Sequence, residues 1–273
     1  MTLNSSGHAT HEALILAGRR RGEIDPLAAI ENTSHKAILT AGGETLIHRV
    51  LIALRASGRI STVKIAAPED IRSKITEALA DIDGWTFSDA LESPAATALA
   101  EIETIGSGRG FVLTTCDHAL LSASMIREFL DAAENSDAAA GCVEKRRYQA
   151  RFPGSRRTFI RLRDFEFSGA NLFWFAGKRA SGLASFWRRL ESKRKNPAAM
   201  AKEIGLFTAL SYATGFMTKR GLEKTITNKT GVSVKLTPLS NAEAAIDVDK
   251  PEDLALVRKI LESRRPESEN RQP

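Results

Sequence analysis

Phosphate chemistry needs clustered cations and a few acids, and this chain supplies both at separated points. An apolar run at 12–17 breaks into "LAGRRRG", where Gly18, Arg19, Arg20, Arg21 and Gly22 follow one another directly. A strand that runs into glycine-bearing backbone gathers several N–H groups at one point, and arginines there add forked donors for phosphate oxygens. The turn is shaped to hold a polyphosphate. It is not a dinucleotide fingerprint, because G-x-G-x-x-G is missing, and not a Walker loop, because no G-K-[ST] follows. Lys36, in "HKAIL", lies a short connection further on and can return to the same place. Asp117 follows the apolar "VLTT", and Asp247 and Asp249 stand in "AIDVDKPEDL". Acids at such positions either cap helices and turns or hold a divalent cation. Nothing suggests an activated serine or cysteine nucleophile. Cys116 and Cys142 lack zinc-type spacing and read as small buried residues.

Positioning these groups requires a sheet whose strands end on a common rim. Residues 12–17, 61–67, 110–115 and 137–144 read as strands. Between them, 44–57, 68–80, 94–105 and 122–134 read as helices, with Gly58 as a stop, Pro68 as an opener and Ser122 as an N-cap. Strand and helix in alternation predict an α/β fold with a mostly parallel sheet between two helical layers. Ligands in such sheets bind at the carboxyl ends of the strands, which puts residues 17–22 and 116–118 on one rim. From 145 to 240 the pattern loosens: "RTFIRLR" and "NLFWFAG" read as strands, and 178–228 as mostly helical. The segment "AAIDVDKPEDLALVRKILES" (244–263) reads as a short strand, a turn and a helix, with Asp249 near its N-cap. One domain over 12–262 is expected. Its 12–144 half carries the phosphate-shaped turn, 145–240 is expected to recognise substrate, and 241–262 carries the two further acids. The tails, 1–11 and 263–273, are polar and expected to be flexible.

Composition narrows the classes. The chain has 273 residues and a net charge of +6, from 39 basic and 33 acidic side chains. No apolar stretch reaches the roughly 20 residues of a membrane span. No basic segment followed by an apolar core marks a secretory signal, so a cytoplasmic protein is expected. Aromatic residues do not interleave with the basic stretches as a nucleic-acid stacking platform requires.

Taken in order, L-A-G-x-R-x-G-x-D-P-L-A, then H-K-A, then an apolar strand ending in C-D-x-x-L, then I-D-V-D-x-P-E-D-L resembles a known pattern. It is that of the nucleotidyltransferases of the glycosyltransferase-A-like fold, a Rossmann-like three-layer α/β/α arrangement with a twisted sheet. More narrowly, it resembles the MobA-like (molybdopterin guanylyltransferase-like) NTP transferase domain, and the likeness spans about residues 12 to 262. The resemblance implies transfer of a nucleoside monophosphate from an NTP, CTP or GTP foremost, to a phosphorylated sugar, alditol or cofactor precursor. Pyrophosphate leaves, and Mg²⁺ or Mn²⁺ is required.

Residue by residue, the resemblance assigns Ala17, Gly18, Arg19, Arg20 and Gly22 to the triphosphate, and Lys36 to the α-phosphate. His35 stands where most relatives have proline, and Arg19 where the commoner pattern has a second glycine. Asp117 matches one metal-binding acid and Asp249 the second, with Asp247 as the alternative. Ser93, Ala96 and Thr97 in "ESPAATALAE" match the stretch that contacts the base. Gly169 and Asn171 in "FSGANLF" match the element that touches the acceptor. Arg146, Arg147, Arg156 and Arg157 form a basic segment suited to the acceptor's phosphate. The apolar helices after 178 suit a bulky or lipid-linked acceptor, or a homodimer contact. Two other readings remain open at this point: a nucleotide sensor without transfer, and a nucleic-acid binder.

Overall fold

The computed structural model describes residues 10–18, 25–105, 109–155, 157–193 and 195–264. Its strands are β1 (His11–Leu16), β2 (Thr40–Ala41), β3 (Glu44–Thr45), β4 (Ile60–Ala67), β5 (Trp85–Asp89), β6 (Phe111–Thr115), β7 (Ala138–Glu144), β8 (Ile160–Arg161), β9 (Glu166–Phe175) and β10 (Val234–Pro238). Its α-helices are α1 (Pro26–Ile30), α2 (Leu46–Ala56), α3 (Glu69–Ala78), α4 (Pro94–Thr104), α5 (Ala123–Ala133) and α6 (Lys145–Arg151). They continue with α7 (Ser181–Ser192), α8 (Pro197–Ile204), α9 (Leu206–Ala213), α10 (Lys219–Thr230) and α11 (Pro251–Glu262).

The main sheet has the order β10-β7-β9-β6-β1-β4-β5, with β8 added on β9. β1 pairs parallel with both β4 and β6. β9 alone runs against its neighbours, antiparallel to β6 and to β7. That single reversal matters for function. It carries the beginning of β9 to the rim where β1 and β6 end, so residues 169–171 meet residues 115–117.

Both faces of the sheet are buried, as expected for strands that read as unbroken apolar runs. Ile15, Val63 and Val112 pack beneath α2, α5 and α11 through Leu51, Phe129 and Val257. Leu14, Leu113 and Phe175 pack on the other face beneath α4 and α7, through Ala98, Ile102 and Ala184. Each large aliphatic side chain buried this way contributes about 1.5–3 kcal/mol. The three-layer α/β architecture is the expected one. Ser122 caps α5 by accepting the Met125 N–H, and Ser93 caps α4 by accepting the Ala96 N–H.

Two elements were not foreseen, β5 and α6, and two expected strands are corrected. β5 has too little apolar alternation to announce itself. Only Ile160–Arg161 of the expected strand in "RTFIRLR" is paired. The basic segment from 145 forms helix α6. In place of a closing strand, Ala242–Ala245 forms a 3-10 turn, because Asn241 accepts the Glu243 N–H and starts a helical turn instead.

Candidate active site

Lys36 heads a 3-10 turn, Lys36–Ile38, and the turn is set by the residue before it. His35 is buried, and its Nδ1 accepts the Ala37 N–H at 3.1 Å. This hydrogen-bonded cap sets the turn that presents Lys36. Asp117 stands just past β6, whose extension is held by the Cys116 N–H donating to the Leu16 carbonyl at 3.0 Å. Asp249 is brought in by the Val248 N–H, which donates to the Asp117 carbonyl at 3.0 Å. Lys250, rather than Asp249, is the N-cap of α11. Asp253 accepts the N–H groups of both Asp249 and Lys250, which leaves the Asp249 carboxylate free to face inward.

The three side chains meet. Lys36 Nζ donates to Asp117 Oδ2 and, at 2.9 Å, to Asp249 Oδ1. Thr115 Oγ1 donates to the other Asp117 oxygen. Burial alone disfavours the charge on Lys36, but Asp117 and Asp249 outweigh it and hold the ammonium well above the ordinary lysine range. Burial raises the Asp117 carboxyl, against the pull of Lys36 and Thr115. Cys116, beside them, is a buried thiol pushed upward by burial, and it supplies no thiolate.

Two cavities flank this triad. One, of about 360 Å³, is lined by Gly18, Lys36, Ser93, Thr97, Asp117 and Asn171, and is walled by Phe173, Trp187 and Glu191. The other, of about 740 Å³, is lined by Ser155, Arg157, Ser168, Asp247, Asp249 and Lys250. Asp247 and Asp249 both line the second cavity, but it is Asp249 that bonds Lys36, while Asp247 bonds elsewhere. It accepts from Arg157 Nη2 at 2.6 Å and from Asn171 Nδ2 at 3.1 Å, and Arg157 Nε also donates to Ser168 at 2.8 Å. Burial opposes the Asp247 charge, yet Arg157 wins and holds the carboxyl below its usual value.

The structure therefore gathers Gly18, Lys36, Ser93, Thr97, Asp117, Asn171, Arg157 and Asp249 around the two cavities. It does not bring in the others. Ala17 is buried and its N–H is committed to the Ala66 carbonyl. Ala96 is buried within α4, outside the cleft lining. Gly169 is exposed on β9, with nothing within 4 Å of where a Cβ would stand. Arg146 pairs with Glu144, and Arg147 donates to the Ser240 carbonyl. Arg19, Arg20, Gly22 and Arg156 lie outside the described residues.

Three cleft residues escaped the sequence reading: Phe173, Trp187 and Glu191. Trp187 stacks on Phe173, with ring centroids 6.0 Å apart. Glu191 Oε2 accepts the Ala95 N–H at 3.3 Å, at the start of α4. No local motif in the sequence marks them.

No cluster of three or more metal-ligating side chains occurs among the described residues. Two carboxylates that converge on one cation nevertheless suit Mg²⁺, which takes one or two carboxylates and completes its shell with water and substrate phosphate. The donors are hard oxygens, and in this structure the Lys36 ammonium is the cation between them.

The description "MobA-like NTP transferase domain" matches residues 13–204. No curated protein matches the chain in sequence. Among solved structures, a hypothetical transferase from Thermus thermophilus is 26% identical, with a TM-score of 0.74 over 90% of this chain and 99% of that one. A 4-diphosphocytidyl-2C-methyl-D-erythritol synthase from Anaerococcus prevotii is 10% identical, with a TM-score of 0.59 over 93% of this chain and 96% of its own. A nucleotidyl transferase from Methanothermobacter is 14% identical, with a TM-score of 0.55 over 94% and 99%. At those identities the last two show a shared fold.

Proposed function

Because the chain belongs to the MobA-like NTP transferase domain family, we propose that it transfers a nucleoside monophosphate from CTP or GTP to a phosphorylated small molecule. Pyrophosphate is the other product. The observation that carries this reading is the convergence of Lys36, Asp117 and Asp249 at the junction of two cavities, one for each substrate.

The NTP lies in the smaller cavity, with its base between Ser93, Thr97 and the Trp187–Glu191 wall. The phosphorylated acceptor, a sugar, alditol or cofactor precursor, takes the larger one, facing Arg157 and Lys250. Asp117 and Asp249 would hold the divalent ion, which when bound would supply Lewis-acid polarisation of the α-phosphate. Lys36, released from the carboxylates, neutralises charge on the α-phosphate. An acceptor phosphate oxygen attacks the α-phosphorus in line; the new P–O bond forms as the bond to the β-phosphate bridging oxygen breaks. The attacking oxygen carries no proton at neutral pH, so no general base is needed. Catalysis rests on positioning and charge neutralisation. Asn171, in the left-handed region at φ 43°, turns its amide to Asp247 at the boundary of the two cavities.

A cytoplasmic location fits these substrates. No helix among the described residues is long and apolar enough to cross a membrane. The deciding experiment is pyrophosphate release across a panel of NTPs and phosphorylated acceptors. Turnover with one pair, lost without Mg²⁺ or Mn²⁺, supports transfer. Tight CTP or GTP binding with no pyrophosphate from any acceptor supports a sensor instead.

A further inference from the structure

α9 turns its apolar side chains away from the protein. Leu206, Phe207 and Leu210 share one face and are 73%, 90% and 61% exposed; Tyr212 and Phe216 follow at 49% and 66%. No residue of α9 is buried. No charged side chain falls between Glu203 and Lys219. The patch is nonetheless firmly held. The Phe216 and Met217 N–H groups donate to the Ser211 carbonyl at 2.8 and 3.0 Å, and Met217 is buried against Leu162 and Phe167. A cluster of large apolar side chains left exposed beside a buried anchor marks a contact site.

What surrounds it identifies the partner. From 193 to 230 the sequence has eight Lys or Arg residues against two acids, Glu203 and Glu223. Both acids are engaged, Glu203 by Arg189 and Lys193, and Glu223 by the Leu236 N–H. Lys195, Lys202, Arg220, Lys224 and Lys229 are exposed. Lys229 passes the head of α9, its Cε 3.3 Å from where a Cβ on Gly205 would stand. A second copy docked face to face would bring two such basic borders together, which is unfavourable. An anionic surface with an apolar interior satisfies both features.

We propose that α9 docks on anionic phospholipid bilayers, with Phe207, Leu210 and their neighbours in the acyl boundary and the lysines among the headgroups. α9 is far too short to span, so the protein lies on the membrane. α8 packs on α7, which carries Trp187 and Glu191, so docking brings the cleft-lining helix to the membrane surface.

Sedimentation with phosphatidylcholine vesicles, with and without phosphatidylserine, tests this on the full chain. Wild type binds the mixed vesicles at least about 10-fold more tightly than the neutral ones, and added salt weakens the binding. Phe207→Glu/Leu210→Glu abolishes binding while circular dichroism and NTP affinity stay unchanged. Lys202→Glu/Lys229→Glu weakens binding to mixed vesicles and flattens its salt dependence. The proposal is overturned if wild type stays in the supernatant, or if the apolar pair of substitutions leaves binding intact. It is equally overturned if light scattering shows a dimer that Phe207→Glu/Leu210→Glu dissociates.

Discussion

The Lys36 ammonium lies 2.9 Å from a carboxylate oxygen of Asp249, 213 positions further along the chain. The same ammonium bonds Asp117, so one cation serves two carboxylates. Of these three described side chains two are acids and one is a cation, and Asp117 is buried. A divalent ion held by the two carboxylates would free Lys36 for another anion, which in the proposed reaction is the α-phosphate.

Lys36→Met is expected to lower turnover by about 100-fold or more, because a positioned cation at developing phosphate charge is lost. It also strips the buried Asp117 of its partner, a change that costs about 3–5 kcal/mol when an ion pair is fully buried and less here, where Lys36 is partly accessible. Burial already raises the Asp117 carboxyl, and without Lys36 it rises further. Protonation then relieves the penalty, so the stability deficit of the variant shrinks as pH falls. Thermal melts on both sides of neutrality, with and without a second Asp117→Asn substitution, check this. Near wild-type pyrophosphate release from Lys36→Met refutes the assigned role.

Asp247 has a different task. It fixes Arg157 in the larger cavity and bonds Asn171 at the boundary of the two. Asp247→Ala should raise the acceptor KM about 10-fold or more and leave the NTP KM nearly unchanged, since hydrogen bonds to charged groups contribute about 1.5–3 kcal/mol. Combined with Arg157→Ala, the loss should be clearly less than additive, because both act through one contact. Steady-state kinetics on the two substrates separate these outcomes, and an equal rise in both KM values contradicts the division of cavities.

Why were some of these groups legible in the sequence and others not? Asp117 and Lys36 stand where a buried strand or a short connection ends, and the residue order alone places them on a rim. The strand–helix alternation from 12 to 144 is carried by apolar spacing, which burial on both faces of a parallel sheet demands. Asp247 and Asp249, two residues apart in the same motif, could not be told apart because their separation is made by tertiary contacts. Val248 bonds the Asp117 carbonyl, which brings Asp249 to Lys36, while Asp247 is taken by Arg157 and Asn171. Trp187 and Glu191 reach the cleft only because α7 packs on α4, a long-range contact with no local signal. Arg146 and Arg147 looked like acceptor ligands by charge, but helix α6 turns them to Glu144 and Ser240.

Glu191 should help choose the base. Its carboxylate accepts hydrogen bonds, so bases with an amino donor, cytosine and guanine among them, suit the cleft better than uracil. Glu191→Gln keeps an acceptor for the Ala95 N–H but removes the charge. The expected result is about a 10-fold loss in affinity for the preferred NTP, little change for UTP, and an unchanged melting temperature. Trp187→Ala should weaken all NTPs alike, because an aromatic wall is indifferent to base edges. Calorimetric titration of the nucleotides resolves the two patterns, and uniform weakening by Glu191→Gln removes the carboxylate from base selection.

His118 gives the fold an acid limit. The ring is buried, and burial lowers its pKa from the ordinary 6.5 to about 4, with Arg157 adding to and Asp247 opposing the shift. In the folded protein the ring is therefore neutral between those values, while the unfolded chain takes up a proton there. The unfolded state binds more protons in that window, so stability is full above about pH 6.5 and falls as the pH drops toward 4. A shift of this size corresponds to about 3 kcal/mol at its limit. Urea melts across the window should show the decline, and His118→Gln, which cannot titrate, should flatten it. An equally steep decline in that variant assigns the acid sensitivity to the carboxylates instead.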